Sequence, residues 1–367
     1  MAIGPIHSAN VSFFFKIEKY GYLCVDIYTQ EIIKIMRRKI ILLMAILTAA
    51  VMVSCGSRNN NSNNTHITNS GIGEPYELFV ICNDNSWERG IRDAVAEVLE
   101  CEVPGLSRPE KYFHVVDHAN FDDVSGLERK HTNLLAIHID PTETEASMII
   151  TQNVYASPQV LAKIYAPTTE AAAEFIRNEA VAMREAFETS ERTLHLQILN
   201  ATSSDEPMRL LKEATGIDMH IPGGFNVAKP KDEKLLWFVR YYPAKIQHIF
   251  AYTEPCDDIN TLSANALEAS LDEHLGVVPS AAEGSYMCIS KYRNIYVMAK
   301  EINGRTWYEL RGCWRVEGDT MGGPLVSYST YDEAKRELIT IVFAMYSPEI
   351  YQRNDMAFME SMIFLTK

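Results

Sequence analysis

YVMAKEINGRTWYEL, residues 296–310, sets two strand-like runs on either side of Asn303-Gly304. Asn-Gly between such runs is the strongest short hairpin signal, because a type I′ turn needs positive φ at both central positions. A two-residue loop also fixes the pairing: Ile302 opposite Arg305, Lys300 opposite Trp307, Met298 opposite Glu309 and Tyr296 opposite Arg311. Successive side chains of a strand point to opposite faces. Val297, Ala299, Tyr308 and Leu310 therefore form the expected core side. Tyr296, Lys300, Trp307, Glu309 and Arg311 form the expected outer side, with Arg315 beyond if the register holds. An antiparallel sheet is the predicted frame of this part of the chain.

Working outward, LLWFVRYY (235–242) and KIQHIFAYT (245–253) flank Pro243 as a second hairpin. A helix carrying Leu262, Leu267, Leu271 and Leu275 is closed by Gly276 at the C′ position. Thr330-Tyr331-Asp332-Glu333 reads as a capping box opening a helix with Ala334, Leu338, Ile341, Val342 and Met345 inward. A last helix covers 355–365. Towards the N-terminus, the runs 76–82, 112–118, 133–140, 147–155 and 159–166 read as strands. Asn85-Ser86-Trp87-Glu88 offers a capping box for a helix through Ile91, Val95 and Leu99. Pro167-Thr168-Thr169 opens a long amphipathic helix with Ile176, Ala180, Met183, Phe187, Leu194 and Ile198 on one side, breaking before Asn200. The fold class is α+β, with mostly antiparallel sheets and packed helices. It forms one large domain or two halves of related size, 74–202 and 203–367, parted at the SSDEP stretch.

The first part of the chain has a different character. Met36-Arg37-Arg38-Lys39 precedes an apolar run, Ile40 to Val53, that stops at Ser54-Cys55. A positive segment, a short apolar run and a small residue before the cut are the parts of a secretory signal. The run is shorter than the ~20 residues a spanning helix needs. Met52-Val53-Ser54-Cys55 resembles a bacterial lipobox, which makes Cys55 the expected lipidated first residue of the mature protein. The expected segments are a mis-assigned N-terminal extension over 1–35, with translation starting at Met36, and a signal peptide over 36–54. The Asn/Ser-rich stretch 55–73 buries nothing and reads as a tether. Such a coil reaches roughly 20–25 Å.

The chain carries a formal charge of −14, and residues 1–54 hold six Lys/Arg and three Asp/Glu. The remainder has 28 basic against 45 acidic residues. That balance argues against nucleic acid or anionic lipid headgroups as partners of a general basic field. Membrane attachment then falls to the lipid on Cys55. After Cys55 come Cys82, Cys101, Cys256, Cys288 and Cys313, none in a CxxC pattern, so no zinc knuckle or redox dithiol is expected. GxSxG, Walker, GxGxxG and HExxH motifs are missing from the sequence, which removes support for the commonest enzyme classes. No cofactor is implied.

Three places carry candidate chemistry. The outer hairpin face, with Gly322 and Gly323 as a backbone turn beyond it, presents aromatic and Arg side chains suited to a protein or glycan partner. Its alternative is an ordinary solvated strand face. His114 and His118, with His138 and Asp140, are weak metal candidates: each pair points one way along its strand, so two adjacent strands could assemble a site. The alternative is ordinary strand histidines. Asn83-Asp84-Asn85 lies between the first strand and its helix, where α/β proteins often bind anions at a helix N-terminus, although those residues already serve as turn and cap. Asp319-Thr320-Met321 resembles a short O-glycosylation pattern.

GEPYELFVICNDNSW (73–87), YELRGCWRVEGDTMGGPLVSY (308–328) and YSPEIYQRNDMAFMES (346–361) together resemble an uncharacterised family of Bacteroidota envelope lipoproteins, known only as a domain of unknown function. The resemblance covers about Gly73 to Lys367 and implies a bacterial cell-envelope protein. It brings no established activity and no catalytic residues. Surface-exported lipoproteins of that phylum usually carry acidic residues just after the Cys. Gly56-Ser57-Arg58-Asn59 carries none, which favours the periplasmic side. The expected function is binding, as an accessory to envelope assembly or maintenance. The alternative is an envelope hydrolase or metal-dependent enzyme built on the His/Asp cluster.

Overall fold

The computed structural model describes residues 70–228, 234–280 and 282–366. They belong to one compact unit, His66–Lys367. The expected extension, signal peptide, Cys55 and most of the tether lie outside the described residues. The fold is α+β, built on two sheets.

The first sheet has the order β2-β1-β3-β5-β4. Its strands are β1 (Glu77–Cys82), β2 (His114–Ala119), β3 (Asn133–Ile139), β4 (Ser147–Gln152) and β5 (Val160–Ala166). β2, β1, β3 and β5 run parallel, and only β4 is antiparallel to its neighbour. The mostly antiparallel expectation thus holds for the molecule as a whole but not for this sheet. Its central strands are covered on both sides, which explains their unbroken apolar runs. Leu78, Val80, Leu135, Ile137 and Ile164 face helices α1 (Arg92–Leu99), α2 (Thr169–Asn178) and α3 (Ala180–Leu199). Phe79, Ile81, Leu134, Ala136 and Leu161 face a thinner layer closed by Val124 and Phe121.

Local signals place these helices with two corrections. Asn83 is the N-cap of the first helical turn, two residues before the expected box, with its side chain accepting from Asn85 N–H at 3.0 Å. The long helix opens where Pro167-Thr168-Thr169 placed its start, with Thr168 as the N-cap, but breaks at Glu179 into α2 and α3. Beyond the break its inward stripe is Met183, Phe187, Glu191, His195 and Leu199, while Ile198 is 59 % exposed. A polar seam lies under the end of α3, so Glu191 and His195 turn inward there in place of the expected Leu194 and Ile198.

The second sheet is antiparallel throughout, in the order β10-β11-β12-β13-β8-β7-β6, with β9 also on β11. Its strands are β6 (Asn226–Ala228), β7 (Leu236–Tyr241), β8 (Ile246–Pro255), β9 (Tyr286–Ile289), β10 (Tyr296–Ile302), β11 (Arg305–Glu317), β12 (Gly322–Asp332) and β13 (Glu337–Tyr346). One face packs on α5 (Ala264–Leu275) through Leu267, Leu271 and Leu275. The other packs on α4 (Asp205–Thr215) and α6 (Arg353–Glu360) through Leu211, Met356 and Met359. Gly276 ends α5 at φ −59, in the right-handed rather than the expected left-handed conformation. Among the described residues no helix is long and apolar enough to cross a membrane.

All four hairpin pairs read from Asn303-Gly304 are present, and the two turn residues sit at φ 53 and 74. The expected exposure of one face is not. Trp307 is fully buried and Tyr308 only half-buried, because α6 covers the side assigned to solvent. The helix expected over Ala334–Met345 is instead the β12–β13 hairpin, turning at Arg336 with φ 56. β13 is buried on both faces, so its continuous apolar run satisfies helical and strand spacing alike. Gly322 and Gly323 are strand residues rather than a turn. A Cβ on Gly323 would lie 2.0 Å from the Met345 carbonyl oxygen, so the glycine permits a close strand approach.

Candidate functional site

Parallel strands β1, β2 and β3 end at one edge of the first sheet, the place where open α/β sheets bind ligands. Asp84, just past β1, meets the end of β2 there. Its Oδ1 lies 3.2 Å from His118 Nε2, and its Oδ2 accepts from Asn120 Nδ2 at 3.0 Å. Asn120 also donates to Asp123 Oδ2 at 3.0 Å and accepts the Asp84 backbone N–H at 2.9 Å. The His118 ring stacks on Trp87 at 4.9 Å. Just beyond Trp87 the chain kinks, with Arg89 at ψ 17 and Gly90 at φ 125 outside helical values. A carboxylate at Nε2 orients the imidazole and favours its proton on that nitrogen. The arrangement offers an oriented ring and two surface carboxylates to a polar partner.

The metal candidates do not assemble. β1 lies between β2 and β3, so the two strands that would have to meet are not neighbours. His114 Nδ1 lies 3.6 Å from a Glu100 carboxylate oxygen, while His138 is stacked between Phe121 at 4.0 Å and Tyr165 at 4.9 Å. Burial pushes the His138 imidazole pKa down, which keeps the stacked ring neutral. Asp140 accepts from the Thr142 hydroxyl at 2.7 Å and its backbone N–H at 2.9 Å. Among the described residues no three His, Cys, Asp or Glu side chains are arranged to hold a metal ion.

The expected binding face of the hairpin is an internal ion cluster. Glu309 is 1 % exposed and accepts from Lys300 Nζ at 2.6 Å and Arg311 Nε at 2.7 Å. Arg311 also grips Glu360 with both terminal nitrogens. Burial alone would raise the Glu309 carboxyl, but the charges of Arg311 and Lys300 outweigh it and hold it at about 2. The chain around Gly105 closes over Arg311: a Cβ on Gly105 would lie 2.9 Å from the Arg311 Cβ. Tyr296 and Lys300 keep partial exposure, and Arg315 stays at the surface, paired with Glu317 and over the Tyr292 ring.

A second polar seam runs under α6 and joins residues that no local sequence pattern singles out. Glu110 accepts the backbone N–H of Gln352 at 2.7 Å and of Arg353 at 2.9 Å, capping α6 from more than 240 residues away. The Arg353 guanidinium lies 3.5 Å from the Tyr76 ring centre and 3.6 Å from Glu188. Glu191 accepts from Tyr76 N–H at 3.0 Å and Asn133 Nδ2 at 2.7 Å. Burial raises its carboxyl above the usual range. Burial, with Arg353 nearby, lowers the His195 imidazole to about 4. Contacts between such distant residues leave no local pattern to read.

The seam joins two regions that also separate by similarity. No curated protein matches the chain. The resemblance read from the sequence runs as one family over both regions, whereas the family comparison divides them. Residues 71–200 match a domain of unknown function (DUF8532), and residues 204–365 match a second domain of unknown function (DUF4837).

Proposed function

We propose that this protein is a lipid-tethered, periplasm-facing component of a bacterial cell envelope that acts by binding, as an accessory to envelope assembly or maintenance. One observation carries the reading: Arg37-Arg38-Lys39, the apolar run to Val53 and Ser54-Cys55 stand in the order of a lipoprotein signal. The first described residue is Ser70, and a coil from Cys55 to it spans roughly 20 Å, so a lipid on Cys55 keeps the body near the membrane. The acidic remainder keeps the body off anionic headgroups, and several acyl chains anchor it at ~0.8 kcal/mol per buried methylene. The Asp84–His118–Asn120–Asp123 cluster is the exposed polar surface available to a protein or glycan partner.

Cells grown with an alkyne fatty acid should label the wild type and not Cys55→Ala, and Cys55→Ala should leave the membrane fraction. An unlabelled wild type overturns the lipoprotein reading. A photo-crosslinking residue at position 123 should then capture an envelope component in cells. Crosslinking no stronger than from a control position remote from the cluster overturns this surface as the contact.

A further inference from the structure

A cavity of about 270 Å³ opens beside α6, lined by Ile198, Thr202, Pro222, Arg240, Tyr242, Gln247, Asp355 and Phe358. Its walls are fixed. His220 Nε2 bonds the carbonyl oxygens of Leu199 at 2.7 Å and Thr202 at 2.8 Å, and Gly223 N–H donates to the Thr202 hydroxyl at 3.1 Å. Across the mouth, Lys245 Nζ binds Asp355 Oδ1 at 2.5 Å and ties the β7–β8 turn to α6. Asp355 is thereby paired with Lys245, and Arg240 has no carboxylate within ion-pair range among the described residues. The Arg240 guanidinium is held instead over the rings of Tyr242, at 4.9 Å, and Phe225, at 5.9 Å. Gly224 leaves it room, since a Cβ there would lie 3.0 Å from Arg240 Nε. Gln247 is 2 % exposed, and its Oε1 has no hydrogen-bond partner. A buried amide oxygen left unpaired is costly, and native structures keep few of them without a reason.

From these features we infer that the cavity is a binding site for a small hydroxylated carboxylate. The guanidinium fork of Arg240 matches a carboxylate. A hydroxyl both donates and accepts, so it satisfies Gln247 whichever way the amide is turned. Phe358 supplies an apolar face for the ring or chain between the two polar groups. The volume is just below the range common for small-molecule sites, which selects a compact ligand of monosaccharide or amino-acid size. An acidic sugar has all three features. An N-acylated amino acid shares the carboxylate and replaces the hydroxyl with an N–H donor. The inference goes beyond the proposed function and does not depend on lipidation.

Purified full-length protein, titrated by calorimetry, tests it with D-glucuronate, D-glucose and N-acetyl-alanine as probes. Glucuronate should bind at least tenfold more tightly than glucose. Arg240→Met should lose at least tenfold of that affinity, and Arg240→Lys, which keeps the charge without the fork, should lose part of it. Gln247→Leu should weaken glucuronate binding while leaving the melting temperature unchanged or raised, because it removes the unpaired oxygen. Binding of N-acetyl-alanine in place of glucuronate overturns the hydroxylated ligand, because that acid carries no hydroxyl group for Gln247. Equal binding of glucose and glucuronate, or a wild-type affinity in Arg240→Met, overturns the assignment. So does the absence of binding by both acids at about ten millimolar.

Discussion

Arg311 donates through Nε to Glu309 at 2.7 Å and holds Glu360 with its other nitrogens, all between β11 and α6. Sequence alternation put this side chain at the surface, where truncation changes stability by only a few tenths of a kcal/mol. In the fold its removal takes the ion-pair partner from Glu360 and leaves Glu309 with Lys300 alone, in a poorly solvated place. Breaking a buried pair in this way costs ~3–5 kcal/mol. Urea unfolding of Arg311→Ala should show a loss of that order, and a loss under about 0.5 kcal/mol would return Arg311 to the solvent face. The sign of the pH dependence follows from Glu309. Its carboxyl sits at about 2 when folded, against roughly 4.3 in an unfolded chain. The stabilisation is therefore complete above the unfolded value and is lost as the pH falls towards 2.

At the scale of elements, two glycines of the hairpin region act for different reasons. Gly304 has open space around its Cβ position and is needed only for its φ of 74. Gly323 lies in β12, where a Cβ would come within 2.0 Å of the Met345 oxygen and 3.2 Å of Trp314 Nε1. Gly304→Ala should cost ~1–2 kcal/mol, the strain of a left-handed alanine. Gly323→Ala must push β12 and β13 apart, so its cost should reach or exceed the ~3 kcal/mol at the upper end of overpacking. Thermal unfolding of both variants checks the order, and a milder effect at Gly323 would contradict the close approach. The same strands show where element type was legible. Asn303-Gly304 gave the β10–β11 register because turn type depends on two residues. β13 was read as a helix because burial on both faces removes the alternation that distinguishes a strand.

At the scale of the molecule, the two matched regions are joined by a carboxylate that caps a helix of the other region. Glu110 is 8 % exposed and accepts the Gln352 and Arg353 N–H groups at the start of α6, where the side chain of the N-cap residue, Gln352, makes no capping bond. Glu110→Ala leaves both donors unpaired and should cost ~2–4 kcal/mol. Calorimetry should show a single transition for the wild type and a lowered, divided one for the variant. An unchanged single transition would mean that the cap does not couple the regions. The sequence by itself determined the α+β class, the hairpin register, most strand positions and the helix start at Pro167-Thr168-Thr169, because each depends on residues close together in the chain. Only the tertiary structure decided which faces are interior. Trp307 and Glu309 are buried because α6 lies over them, Glu191 and His195 because α3 leans on the polar seam, and Ile198 is exposed at the cavity mouth for the same reason. Burial is set by what packs against an element, and here the partners come from segments far away in the chain.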